Sequence, residues 1–176
     1  RMGEARAAKE REVEASFDLM LEALRLSRAS VVDVDKLAKL WQRIRTEGQG
    51  WSVAKSFKSH SDLVAQMLDQ LITMADLYGL QLDEDVGTHY LIDVAVSELP
   101  SVLEGLGKIR AHGTGMIAQR DVSEAQHFQL LYLIADFQST LKSMQNHLTR
   151  VRQHNSAYDA RLMRSAVVID AAASDF

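Results

Sequence analysis

Histidine and carboxylate side chains are the groups here best suited to metal or acid–base chemistry, and they meet at helical spacing in two places. His89 and Asp93 stand four residues apart, one turn along a helix face, with Asp83 and Asp85 just upstream. Imidazole and hard oxygen ligands suit several divalent ions. The competing expectation is an exposed acidic helix start, where carboxylates complement the positive end of the helix dipole. Glu124-x-x-His127 has the spacing used by di-metal helix bundles, but those centres need it on two helices and it occurs once. No metal is therefore expected. No Gly-x-Ser-x-Gly, P-loop or dinucleotide fingerprint is present, Gly105-x-Gly107 lacks the third glycine, and nothing singles out a Ser/His/acid triad. The chain is expected to be non-catalytic and to hold no cofactor. Trp41 and Trp51 flank a Gly48–Gly50 turn and are expected to pack at a helix junction. His60, beside Lys58 and Asp62, is expected at the surface.

These groups have to be placed by helices. The chain has 176 residues with one proline, nine glycines and no cysteine, and strands and tight turns consume more of the first two. Without cysteine there are no disulfides, thiolate nucleophiles or cysteine-bound metals. The net charge is −4 and the twenty Lys and Arg are scattered, so no nucleic-acid partner is expected. No run reaches the roughly 18 apolar residues that span a bilayer. A first residue other than Met and a closing small-residue run, Ala171-Ala172-Ala173-Ser174, suggest a piece of something longer. One domain over residues 1–176 suits the length.

Apolar spacing predicts a first helix from about Glu4 to Arg28 on Val13, Phe17, Met20, Leu21 and Leu24. Candidate caps between Ser30 and Asp35 precede a short helix with Leu37, Leu40, Trp41 and Ile44, which ends at Gly48–Gly50 with a left-handed cap expected on glycine. Ser52 then caps a third helix that stops at Gly79. A fourth runs from Val86 to about Arg110, with a kink expected near Val96–Pro100, since the proline removes a donor and crowds the preceding turn. The run His112-Gly113-Thr114-Gly115 reads as a break. Ser123-x-x-Gln126 forms a capping box for a last helix reaching about Val168, roughly 68 Å at 1.5 Å per residue. Its apolar residues Leu130, Ile134, Phe137, Leu141, Met144, Leu148 and Val151, then Asn155, Tyr158 and Leu162, alternate in steps of four and three. That is a heptad seam, and a lone Asn in such a seam fixes register in parallel dimers. The fold expected is all-α: an elongated antiparallel helical bundle with a long C-terminal helix, the seam Phe137 to Leu162 pairing two copies.

The middle of the chain resembles a known family. Leu82, Asp83, Asp85, Tyr90, Leu91 and Asp93, then Leu99-Pro100, then Leu106, Gly107 and Arg110 match the pattern of a helical periplasmic sensor region. That region occurs in methyl-accepting chemotaxis receptors, membrane-bound histidine kinases and diguanylate cyclases of bacteria. The resemblance covers about residues 34–152, with Glu84, Gly87 and His89 departing from the family's usual proline, aspartate and tyrosine.

The resemblance implies an extracytoplasmic ligand-sensing and signal-relay domain of an inner-membrane receptor, lying in the periplasm between two membrane-spanning segments. A small molecule or a periplasmic binding protein is the implied partner, alongside a second copy of the chain. Asp83, Asp85, His89, Tyr90, Asp93 and Arg110 are the candidate ligand-binding residues. Asp83, Asp85 and Asp93 would take an amine or cation; Arg110 with the amides of residues 86–88 would take an anion. The alternative from another class is a soluble helical-bundle or coiled-coil scaffold.

Overall fold

In a computed structural model of the chain, residues 2–27, 33–118 and 122–154 are described. They form an all-α fold, with no strand among them. Six helices follow in order: α1 Met2–Leu26, α2 Val34–Glu47, α3 Val53–Leu77, α4 Val86–Asp93, α5 Leu99–Ala118 and α6 Glu124–His154. The chain divides into two compact units, Arg1–Leu77 and Tyr78–Phe176.

In the first unit α1 and α2 run antiparallel, as two exposed ion pairs show: Glu14 meets Arg45, and Arg25 lies 3.8 Å from Asp35. Asp33 starts α2 by accepting the Lys36 N–H at 2.9 Å, satisfying one of the donors a helix start leaves open. Phe17 and Leu21 of α1, Leu37 and Ile44 of α2, and Leu63 of α3 form the core. Trp41 closes it by stacking on Phe17 with ring centroids 5.1 Å apart. Trp51 packs against the same core and carries Lys55 over its ring. Both tryptophans are thus packing pieces. The left-handed cap expected at Gly48–Gly50 is not there. Gly48 is right-handed at φ −59°, and the helix tightens into a 3₁₀ turn over Gly48–Gly50. Ser52 caps α3 through the Lys55 N–H at 3.3 Å. His60 is exposed and bonds back to the Ser56 carbonyl within its own helix.

Gly79 is where the left-handed conformation falls, at φ +63°, and it ends the turn after α3. In the second unit the helix does not stop between α4 and α5. Asp93, Val94 and Leu99 all hold right-handed helical angles, and the intervening Val94–Glu98 is a π turn in which the Leu99 N–H donates to the Val94 carbonyl. The expected distortion before Pro100 is therefore a widened turn. A proline ring crowds the carbonyl four residues back, here Val96, and the wider turn lies over that carbonyl.

The break expected at His112–Gly115 is absent, because α5 continues to Ala118. Two glycines cost about 1 kcal/mol each in a helix. His112 offsets part of that by placing Nε2 3.0 Å from the Gln126 carbonyl on α6. The Ser123 capping box forms as expected: Ser123 N–H donates to Gln126 Oε1 at 2.9 Å, and Gln126 N–H donates to Ser123 Oγ at 3.3 Å.

α6 runs antiparallel to the α4–α5 helix, with Tyr90 beside Arg150, Glu98 beside Ser143, Gly105 beside Phe137 and His112 beside Gln126. The apolar seam does its packing here, within one chain. Met144 at 1% exposure joins Val94 and Val102, with Phe137, Leu141 and Leu148 against them, and Val151 is 0% exposed. Met144 and Val151 are thus taken up within the chain, whereas Phe137, Leu141 and Leu148 stay half-buried. Asn155, Tyr158 and Leu162 lie outside the described residues.

Candidate functional site

The start of α4 is built by its own acids. Asp83 Oδ1 accepts the Asp85 N–H at 2.9 Å, which fixes the approach to the helix. Asp85 is the N-cap: its Oδ2 accepts both the Thr88 N–H at 2.7 Å and the Thr88 hydroxyl at 2.8 Å. The Thr88 N–H first, and its hydroxyl second, hold the Asp85 carboxyl below its ordinary range; His154 on α6 adds a smaller attraction against slight desolvation. Asp83 and Asp85 are exposed, and each has one oxygen engaged in local structure.

One turn on, His89 Nε2 lies 3.6 Å from Asp93 Oδ2, the pairing expected from their spacing. A third metal-ligating side chain does not join them: among the described residues no group of three or more His, Asp or Glu is arranged for an ion. Glu124 and His127 are both exposed at the start of α6.

Tyr90 is the residue that leaves α4 for α6. Arg150 donates from Nη1 to its hydroxyl at 2.7 Å, with the guanidinium carbon 5.2 Å from the ring centroid. The His147 ring lies against the other side of the contact, 5.1 Å from Tyr90. Below it the π turn aims Glu98 at α6. Ser143 donates to Glu98 Oε1 at 2.6 Å, and His147 Nδ1 stands 3.0 Å from Glu98 Oε2. The Glu98 side chain is 12% exposed and that of His147 28%. Glu98 Oε2 and His147 Nδ1 are both covered, and neither makes a well-aligned hydrogen bond. Their contact is electrostatic and depends on the ring being protonated.

Ser, Glu and His thus meet, but in an order unlike a nucleophilic triad. Ser143 gives its proton to the carboxylate, whereas activation needs the hydroxyl on the imidazole. What the arrangement does is clasp two helices with a polar chain running Ser143, Glu98, His147, Tyr90 and Arg150.

Five of the six candidate ligand residues, Asp83, Asp85, His89, Tyr90 and Asp93, gather at this end of the second unit. Arg110 does not. It lies 24 residues beyond Val86 on a continuous helix, about 36 Å along the axis. The anion site combining Arg110 with the amides of residues 86–88 is therefore excluded by distance. Glu98, Ser143, His147 and Arg150 belong to the cluster and were not among the sequence candidates. Glu98 alone had a local signal: Tyr90, Val94, Glu98 and Val102 fall in three consecutive four-residue steps, which drift by about 40° each on a regular helix.

Compared with protein-family models, curated proteins and solved structures, the chain matches none.

Proposed function

We propose that the chain is an extracytoplasmic ligand-sensing and signal-relay domain of a transmembrane bacterial receptor, either a chemoreceptor or a sensor histidine kinase. It has no catalysis of its own, lies in the periplasm and works as a homodimer at the inner membrane. The observation that supports this reading is the polar clasp between α4 and α6. Tyr90 belongs both to the receptor-like stretch and to the contact with Arg150, so an event at the start of α4 is felt directly by the longest helix. A ligand shifts such a contact only if it binds one arrangement better than the other. A small cationic molecule or a periplasmic binding protein at the acidic start of α4 fits the charge of Asp83, Glu84, Asp85 and Asp93.

None of the described helices is long and apolar enough to cross a membrane. The membrane segments of this proposal must be encoded on either side, each with about 20 apolar residues. Inspecting the reading frame tests this, and finding neither segment sinks the receptor reading. The ligand site is tested by a thermal-shift screen of cationic amines on the wild-type chain and on Asp85→Asn with Asp93→Asn. Asn caps a helix about as well as Asp, so the variant loses charge and keeps its fold. Amine-induced shifts should vanish, and unchanged shifts overturn the acidic site.

The second reading, a helical scaffold that binds proteins and no small molecule, is favoured by one feature. Phe128, Leu131 and Tyr132 lie on one face of α6 and are half-exposed or more. Pull-down that depends on these three side chains, without any amine response, would select it.

A further inference from the structure

We propose that the π turn Val94–Glu98 is a register joint, in which α4 exchanges with a minor arrangement rotated by one residue against α6. Four contacts define the observed register: Tyr90 on Arg150, Val94 and Val102 with Met144, and Glu98 on Ser143. Their spacing of four, four and four residues exceeds the 3.6 of an α-helix, and the π turn absorbs the excess by holding one extra residue.

If the extra residue is released with α5 fixed, every residue before the turn moves by about 100° and 1.5 Å relative to α6. Leu91 then takes the place of Tyr90 opposite Arg150 and His147, and Ala95 takes the place of Val94 in the core cluster. The exchange loses one hydrogen bond and some apolar cover, and it regains a regular backbone ladder. These opposing terms make the second register a minor state and not a forbidden one.

Two features set the balance. Pro100 has no N–H to close a regular turn on Val96 and its ring crowds that carbonyl, so it favours the wide form. The Tyr90 hydroxyl on Arg150 is the latch. α4, with eight residues against twenty in α5, is the shorter arm of the joint and the one that carries the latch; it packs along α6 as extensively as α5 does, so its rotation has to break that packing. The joint is a property of the helix pair and stands whether or not the sensing proposal does.

The test is backbone ¹⁵N relaxation dispersion on the intact chain without ligand. Register changes of this kind fall in the microsecond to millisecond range. Dispersion is expected at the amides of residues 89–99 and not at residues 130–134 of α6. Tyr90→Phe, which keeps the ring and drops the latch, should raise the minor population several-fold, as should Pro100→Ala. Deleting the exposed Ala95 removes the extra residue while leaving Tyr90 and Val94 in phase with α6, and should abolish the exchange. Flat profiles in the wild type and in Tyr90→Phe overturn the joint. So does exchange that persists unchanged in the deletion variant. Should that variant fail to fold, populations unmoved by both Tyr90→Phe and Pro100→Ala overturn it equally.

Discussion

The two units hold their helices together differently. In the first, the contacts between helices are apolar inside, and charge stays at the rim, where Glu14 meets Arg45 and Arg25 meets Asp35. In the second, the buried apolar cluster is smaller, and the interface continues through Glu98, Ser143, His147, Tyr90 and Arg150. Apolar packing resists rotation through lost contact area, whereas the Tyr90–Arg150 and Glu98–Ser143 hydrogen bonds add direction and are satisfied in one register. The difference assigns plain stability to the first unit and a defined, breakable register to the second.

The largest effects should come from the apolar centres, and they check that both units rest on packing. Leu37→Ala in the first, where the side chain is 2% exposed, and Met144→Ala in the second, at 1%, should each cost about 2–5 kcal/mol by urea unfolding. If Met144→Ala costs no more than a surface substitution, the second unit is held by its polar chain alone.

Next in size is the polar chain itself. Glu98→Ala removes the carboxylate that Ser143 donates to and the charge beside the covered His147 Nδ1, and should cost about 1–3 kcal/mol by the same measurement. Glu98→Gln keeps an acceptor for Ser143 and should cost less. Equal losses would show that charge, not the hydrogen bond, joins the helices there.

Gly79→Ala forces a side chain into the left-handed region at φ +63° and should cost about 1–2 kcal/mol. Gly105→Ala should stabilise the second unit by about 0.5–1 kcal/mol, because the added methyl meets the Phe137 side chain at ordinary contact distance, 3.5 Å. A loss instead would mean that α5 and α6 approach with no room to spare.

The smallest effect is at the exposed cap. Asp85→Ala should lower thermal stability slightly and Asp85→Asn should preserve it. Because Thr88 holds the Asp85 carboxyl low in the folded state, its contribution is present at neutral pH and is lost as the pH falls below about 3.9 and through the lowered value. Acid unfolding of Asp85→Asn should therefore show a weaker pH dependence over that range.

Local signals in the sequence carried most of the fold. Ser123 and Gln126, Gly79 and the heptad steps from Leu130 to Val151 each work through neighbours within a turn or two, so their consequences can be read along the chain. The direction in which the seam faces could not be read this way. A heptad suits α4 and α5 of the same chain as well as it suits a second copy, and the choice depends on contacts far apart in sequence. His112–Gly115 misled because glycine lowers helix propensity without forbidding helix, and tertiary contact overrode it. At the site, Asp83, Asp85, His89 and Asp93 were legible because each pairs within four residues along the chain, at the entry to α4 or inside it. Glu98, Ser143, His147 and Arg150 pair across 45 to 60 residues, and the four-residue steps at 90, 94, 98 and 102 bear on Glu98 alone.

Trp41 and Trp51, described above as packing pieces, are the only two indoles in the chain, and both fall in the first unit. The four tyrosines, at 78, 90, 132 and 158, all fall in the second. Light absorbed by indole but not by phenol therefore excites the first unit alone, through one ring stacked on Phe17 and another beneath Lys55. Each unit carries its own optical label, and its melting can be followed in the native sequence without a dye or an added tryptophan.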